Sequence, residues 1–214
     1  MVKLRLAARR RAWRRRRKAF RRRLRRIAFR VVLVVCLIPA LWVAAYRFID
    51  PPVTYLIAAE WVRLGDVERD WRELDEISPH LPRAVMGGED ARFCAHSGFD
   101  FEEIAKALAE ENRRRGASTI TQQVAKNVFL WPEASWLRKG LEAGFTVLIE
   151  LFWPKRRIME VYLNVAETGE GAFGAEAAAQ RYFGRAAADL TLRQSARIAA
   201  SLPNPKARDP GRPT

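Results

Sequence analysis

The chain has 214 residues with 39 Lys+Arg against 24 Asp+Glu, a formal net charge of +15 that taken alone points to a nucleic-acid binder. The distribution argues otherwise, because residues 1–30 hold 16 of the basic residues and no acid, leaving 23 basic and 24 acidic groups over the rest. A content of 49% hydrophobic residues excludes disorder for that nearly neutral body, and two cysteines, Cys36 and Cys94, exclude a disulfide scaffold or a Cys-rich zinc site.

From Val31 to Tyr46 no charge interrupts the run VVLVVCLIPALWVAAY. It reads as a short transmembrane helix over 31–49, with Arg30 and Arg47 snorkelling to the headgroups and Pro39 removing one backbone hydrogen bond. Residues 1–30 then form a basic tail, cytoplasmic by the positive-inside rule, and everything after residue 50 lies on the other side. Two readings compete. Val43-Ala44-Ala45 resembles a signal-peptidase site, although the 30-residue segment before the apolar run is long for a signal peptide. The tail could also bind nucleic acid, but with only Trp13 and Phe20 as interleaved aromatics ahead of Phe29, which extends the apolar run, anionic lipid headgroups are the nearer partner.

Pro51-Pro52 breaks the span, and residues 50–82 read as a connector with an amphipathic piece around Ala58–Arg72. Helix signals dominate residues 83–214. Phe101–Arg115 places Ile104 and Leu108 on one face; Ser135 caps a helix through Leu137, Leu141, Phe145 and Leu148. Pro154 suits the first turn of the next helix, which carries Ile158, Tyr162 and Val165. Thr191 and Gln194 form a capping box for a last helix that stops before Pro203. Strand alternation is scarce, so the fold is expected to be mainly α.

The motifs that are missing exclude several chemistries. There is no Gly-x-x-x-x-Gly-Lys-Ser/Thr phosphate loop, no His-Glu-x-x-His, no Gly-x-Ser-x-Gly and no Asp-x-Asp pair, and His80 and His96 are the only histidines. A triad built on His96 beside Ser97 is a weaker reading than a structural histidine.

Four polar clusters stand out. Glu89-Asp90-Ala91-Arg92-Phe93-Cys94-Ala95-His96-Ser97-Gly98 follows Gly87-Gly88, where a helix pattern is expected to fail and a carboxylate can face a cleft. Gly116-Ala117-Ser118-Thr119-Ile120-Thr121-Gln122-Gln123-Val124-Ala125-Lys126-Asn127 is dense in amides and hydroxyls, which suit sugar hydroxyls or phosphates. Arg138 and Glu142, flanking Lys139, share a helical face, an arrangement equally compatible with a silent surface ion pair. Lys155-Arg156-Arg157-Ile158-Met159-Glu160-Val161-Tyr162-Leu163-Asn164 would by itself be a solvated helix face with a buried stripe.

In order and spacing these clusters closely resemble the motifs of the peptidoglycan glycosyltransferases: E-D-x-x-F-x-x-H-x-G, G-x-S-T-I-T-Q-Q-x-x-K-N, R-K-x-x-E and K-x-x-I-x-x-x-Y-L-N. A Gly/Ala-rich stretch, Gly169-Glu170-Gly171-Ala172-Phe173-Gly174 with Ala177-Ala178-Ala179, follows as in that family. The match covers about residues 51–208. With no transpeptidase domain following, the chain looks like a monofunctional member rather than a bifunctional penicillin-binding protein. Ala117 replaces a usual second Gly, and Ala91 a frequent basic residue. Members generally add a helical piece beyond Leu202-Pro203-Asn204-Pro205, so a thinner last packing layer is expected here.

The resemblance implies a lysozyme-like α fold with a membrane-hugging lobe, seated in the bacterial inner membrane with its catalytic domain periplasmic. It implies polymerisation of lipid II, transferring the lipid-linked glycan to the 4-hydroxyl with inversion to make β-1,4 linkages. By family position Glu89 is the base and Glu142 the second carboxylate. Arg138, Lys139, Lys126 and Lys155 are the candidate diphosphate cations, and Arg92, Ser118, Thr119, Gln122, Gln123 and Asn127 the other substrate-binding residues. Mg²⁺ or another divalent cation near Glu142 is compatible with this but not demanded. Partners are the membrane, lipid II with the lipid-linked glycan, and other cell-wall or division proteins, with no nucleic acid. The alternatives are a lytic glycosidase of peptidoglycan, which leaves the cationic residues unexplained, and an inactive membrane-tethered scaffold.

Overall fold

The computed structural model describes residues 2–109 and 118–212. The chain divides into two units, Met1–Trp42 and Val43–Thr214. Helix α1 spans Val2–Tyr46 with Pro39 inside it. The basic segment is therefore helical, as expected for an Arg- and Ala-rich stretch with no Gly or Pro before Pro39. The stretch Arg16–Tyr46 is long and apolar enough to cross a membrane. The helix stops at Tyr46, three residues short of the expected end of the span.

The last turn of α1 belongs to the second unit. Val43 is fully buried, its carbonyl accepts a hydrogen bond from Trp153 Nε1 at 2.7 Å, and Arg157 donates to the carbonyls of Tyr46 and Ile49 at 3.0 Å. These side chains satisfy carbonyls that a helix end leaves without intrahelical partners. Helix α2, Tyr55–Leu64, starts at the Thr54 cap and ends at Gly65, whose φ of 81° is left-handed. That glycine is why the amphipathic piece stops short of Arg72. Strand β1 is Glu68–Arg69, and helix α3 is His80–Glu89.

Helix α4 is Phe101–Ala109; residues 110–115 of the expected helix lie outside the described residues. Helices α5, Ile120–Phe129, α6, Trp136–Phe152, and α7, Lys155–Val165, follow, with Ser135 capping α6 as expected and Pro154 just before α7. Strands β2, Glu167–Gly169, and β3, Ala172–Phe173, join β1 in a small sheet of order β1-β3-β2, β1 parallel and β2 antiparallel to β3. Helices α8, Gly174–Phe183, and α9, Leu192–Ser201, complete the unit, with the Thr191–Gln194 capping box in place.

The core explains the order of these elements. Helix α5 lies against α6 and α7, and α3 against α9. Ile120 and Val124 of α5, Ile149 of α6, and Ile158, Val161, Tyr162 and Val165 of α7 are at most 1% exposed. Phe129 and Phe145 stack with centroids 4.7 Å apart, fastening α5 to α6. After α9, Lys206 pairs with Glu60 of α2 at 2.6 Å and with Glu167 of β2 at 3.7 Å, so the C-terminal stretch is tied back to the body.

Candidate active site

Glu89 is the last residue of α3, and Gly87 and Gly88 lie inside that helix rather than ending it. The helix continues through both glycines because nothing crowds them and its inner face is anchored by buried Leu81 and Val85. Half-buried Glu89 thus sits at a helix edge, where its Oε2 accepts a hydrogen bond from Gln123 Nε2 of α5 at 2.8 Å. The same amide accepts a bond from the hydroxyl of Tyr162, on α7, at 3.1 Å. Burial first, and the Glu89 charge second, push that hydroxyl well above the ordinary phenol range, so it remains a neutral donor.

The neighbouring Asp90 has another task. Its Oδ2 accepts from the backbone N–H of Ile120 at 3.0 Å and its Oδ1 bonds His96 Nε2 at 2.9 Å. A buried carboxylate at the first N–H groups of α5 suits the positive end of the helix. Thr119 caps the same helix end, reciprocally with Gln122, and its Oγ1 donates to the carbonyl of Gly98 at 2.6 Å. Thr119 and Gln122 are both buried, and their place in the cap accounts for these side chains without a substrate. Ser118 and Asn127 are half-buried. Gly98 has φ +87°, and a Cβ there would lie 2.7 Å from Thr146 Cγ2, so the first motif ends on a glycine for both conformational and steric reasons.

On α6, Glu142 is 3% exposed and both its oxygens are taken. Oε2 binds Arg138 Nη1 at 2.5 Å, and Oε1 binds the exposed Lys139 ammonium. A bland surface ion pair is thereby excluded for Arg138 and Glu142, because both are buried. Lys126 of α5 interacts electrostatically with Glu142, Arg138, Lys139 and Glu89. Burial lowers its ammonium from the ordinary lysine value; Glu142 and then Glu89 oppose that, while Arg138 and Lys139 reinforce it. Lys126 is thus within electrostatic reach of both the Glu89 carboxylate and the Arg138–Lys139–Glu142 group.

Two other expected cations have acidic partners of their own. Arg92 is paired with Asp100 and Glu102. Lys155 binds Glu150 Oε1 at 2.7 Å and lies 4.5 Å from the Phe93 ring centroid. Glu150, outside every sequence cluster, also accepts from Thr121 Oγ1 at 2.6 Å; its signal was a lone acid in the apolar run Thr146–Phe152. Asn164 holds the connector by bonding the backbone N–H and C=O of Arg72 at 2.9 and 2.8 Å.

A divalent cation does not fit at Glu142 as arranged, since each carboxylate oxygen already has a cationic partner. Asp90, His96 and Asp100 are close enough together to hold an ion. All four oxygens of these two aspartates have partners instead: two accept from N–H groups of α5 and α4, one bonds His96, and Asp100 Oδ2 pairs with Arg92 at 3.7 Å.

Comparison with known proteins gives the same direction. The family model described as Transglycosylase matches residues 58–214. Proteins named biosynthetic peptidoglycan transglycosylase are similar to this chain. That of Caulobacter vibrioides is 57% identical over 185 residues, covering 85% of this chain and 81% of its own. That of Jannaschia sp. is 54% identical, covering 81% and 72%, and that of Rhodospirillum centenum 52% identical, covering 89% and 84%. With most of the second unit matched by the family model and relatives above 50% identical over at least 81% of the chain, the chain belongs to the transglycosylase family.

Proposed function

We propose that this enzyme is a peptidoglycan glycosyltransferase that polymerises glycan strands from lipid II, transferring the lipid-linked growing chain to the 4-hydroxyl of the incoming lipid II. The observation that carries the reading is the cationic group around Glu142: buried Arg138 at 2.5 Å and Lys139 on its two oxygens, with half-buried Lys126 within electrostatic reach of them and of Glu89. Such a group is stabilised by an anion arriving with the substrate, and a lipid diphosphate supplies one.

In this mechanism Glu89 takes the proton of the acceptor 4-hydroxyl through its Oε1, since Oε2 is held by Gln123. The freed oxygen attacks the donor anomeric carbon from the face opposite the diphosphate. The bond from that carbon to the diphosphate oxygen breaks, and its electron pair leaves with undecaprenyl diphosphate. Lys126, Arg138 and Lys139 meet the charge that grows there, and Glu142 holds the last two in place. Inversion yields the β-1,4 linkage. A hydrolase of finished peptidoglycan has no diphosphate to hold, so these cations favour synthesis.

The apolar stretch of α1 anchors the enzyme in the bacterial inner membrane, with the N-terminus cytoplasmic and the second unit periplasmic, following the charge asymmetry around the span. Exposed Leu137, Leu141, Val147 and Leu151 on α6 are in keeping with work at a lipid surface. The test is incubation of the purified full-length protein with labelled lipid II in detergent, beside Glu89→Gln. Glycan ladders that fall by about 10²- to 10⁴-fold in the variant are expected; equal ladders from both would overturn the role of Glu89, and digestion of finished peptidoglycan without ladders would favour the lytic reading.

A further inference from the structure

The glycosyl-transfer chemistry makes no use of the basic segment, the most highly charged part of the molecule. Sixteen Lys and Arg and no acid occupy residues 1–30, and α1 carries that segment without interruption into the apolar run. Trp13, Phe20 and Ile27 recur at seven-residue intervals with Leu24 four beyond Phe20, so on the helix the four share one narrow face. All four are exposed. Cations surround this stripe: Arg16, Lys18, Arg21, Arg22, Arg23, Arg25 and Arg26 are exposed around it, and Arg17 lies within it with its guanidinium 4.5 Å from the Trp13 ring centroid.

We propose that residues 20–30 form a binding element for anionic phospholipids, in the headgroup layer where the apolar run enters the bilayer. The arginines hold lipid phosphates, and Leu24 and Ile27, the stripe residues nearest the apolar run, reach the acyl boundary. Three observations select this occupant. The charge is wholly positive and meets a surface of opposite sign. The stripe runs directly into the apolar stretch, so a bilayer entered by one is within reach of the other at high effective concentration. Nucleic acid fits less well, because a single-strand reader spreads several aromatic platforms along its groove, whereas Trp13 and Phe20 are two helical turns apart in a partly aliphatic stripe and Phe29 adjoins the apolar run.

The proposal rests on the reading of residues 31–46 as a membrane anchor, and the test separates the two. The full-length chain with Cys36→Ser and Cys94→Ser carries a single environment-sensitive fluorophore on either Phe20→Cys or Ile38→Cys. Each is reconstituted into bilayers of phosphatidylcholine alone and of phosphatidylcholine mixed with phosphatidylglycerol. The probe at position 38 is expected to be blue-shifted in both. The probe at position 20 is expected to shift to the blue only in the mixed bilayer, with quenching by a lipid-borne quencher roughly two-fold greater or more than in phosphatidylcholine. That difference is expected to shrink at high salt and to disappear when Arg21, Arg22, Arg23, Arg25 and Arg26 are changed to Gln. Equal signals at position 20 in both bilayers, with position 38 embedded, would overturn the lipid-binding proposal alone. A water-exposed position 38 would overturn the anchor as well. Release of the position-20 probe from the mixed bilayer by an added RNA oligonucleotide would assign the segment to nucleic acid instead.

Discussion

The hydroxyl of Tyr162 settles which way round the Gln123 amide sits. By donating to Gln123 Oε1 at 3.1 Å, it turns the amide nitrogen toward Glu89, where Nε2 lies 2.8 Å from the carboxylate. The reversed amide would set its oxygen against the Glu89 oxygens, an unfavourable arrangement of two acceptors. Tyr162→Phe removes this selection. Expected are a loss of about 0.5–1.5 kcal/mol in denaturant unfolding and a fall in kcat several-fold larger than any change in KM. An unchanged kcat would show that Gln123 needs no orienting partner.

Lys126 should carry opposite signs for stability and activity. Its folded-state pKa is depressed, chiefly by burial, so the charged form is the one that folding disfavours. That cost is present at neutral pH and is relieved as pH climbs toward the unfolded lysine value of about 10.4. Lys126→Met is therefore expected to melt above the wild type at pH 7, with the gap closing in alkali, while glycan polymerisation falls by about 10²-fold or more. Calorimetry across pH beside a lipid II assay checks both halves, and a lower melting temperature at pH 7 would contradict the electrostatic account.

The Arg138–Glu142 pair, buried at both ends, should be costly to break from either side. Glu142→Ala leaves the guanidinium without its 2.5 Å partner, and Arg138→Ala leaves a buried carboxylate held only by the exposed Lys139. Each single change is expected to cost about 3–5 kcal/mol, and the double variant less than the sum. Urea titrations of the four proteins complete the cycle; strict additivity would mean the two side chains do not act as a unit.

Gly98→Ala faces two penalties, a φ of +87° and a Cβ placed 2.7 Å from Thr146 Cγ2. A loss above about 1 kcal/mol is expected, and Thr146→Ser, which removes that methyl, should recover part of it in the double variant.

The helical content and most helix starts were legible because they depend on local chemistry: Ser135, Thr191 with Gln194, and the Ile158–Tyr162–Val165 stripe act within a few residues of their own position. Gly87 and Gly88 misled because local propensity marks a break, whereas Leu81 and Val85 of the same helix are anchored in the core. The grouping of Glu89, Lys126, Arg138 and Glu142 followed from motif order, but what each does there depends on contacts between distant segments. Nothing local in Lys155 says that it turns to Glu150, or in Arg92 that Asp100 and Glu102 claim it. Likewise, Thr119 and Gln122, expected among the substrate-binding residues, also close the capping box at the start of α5.

That start of α5 has a consequence for the order in which the molecule assembles. Its first amide, that of Ile120, is satisfied by Asp90 and its cap is anchored on Gly98, both from a loop some twenty to thirty residues earlier. A ten-residue helix is marginal alone, and here the groups that complete its first turn arrive only when that loop closes. The helix bearing Gln123 and Lys126 is thus expected to become ordered together with the loop after Glu89, as one cooperative unit. In native-state hydrogen exchange the amide of Ile120 should open only with that whole unit, so the reacting groups gain their alignment in a single late event rather than piece by piece.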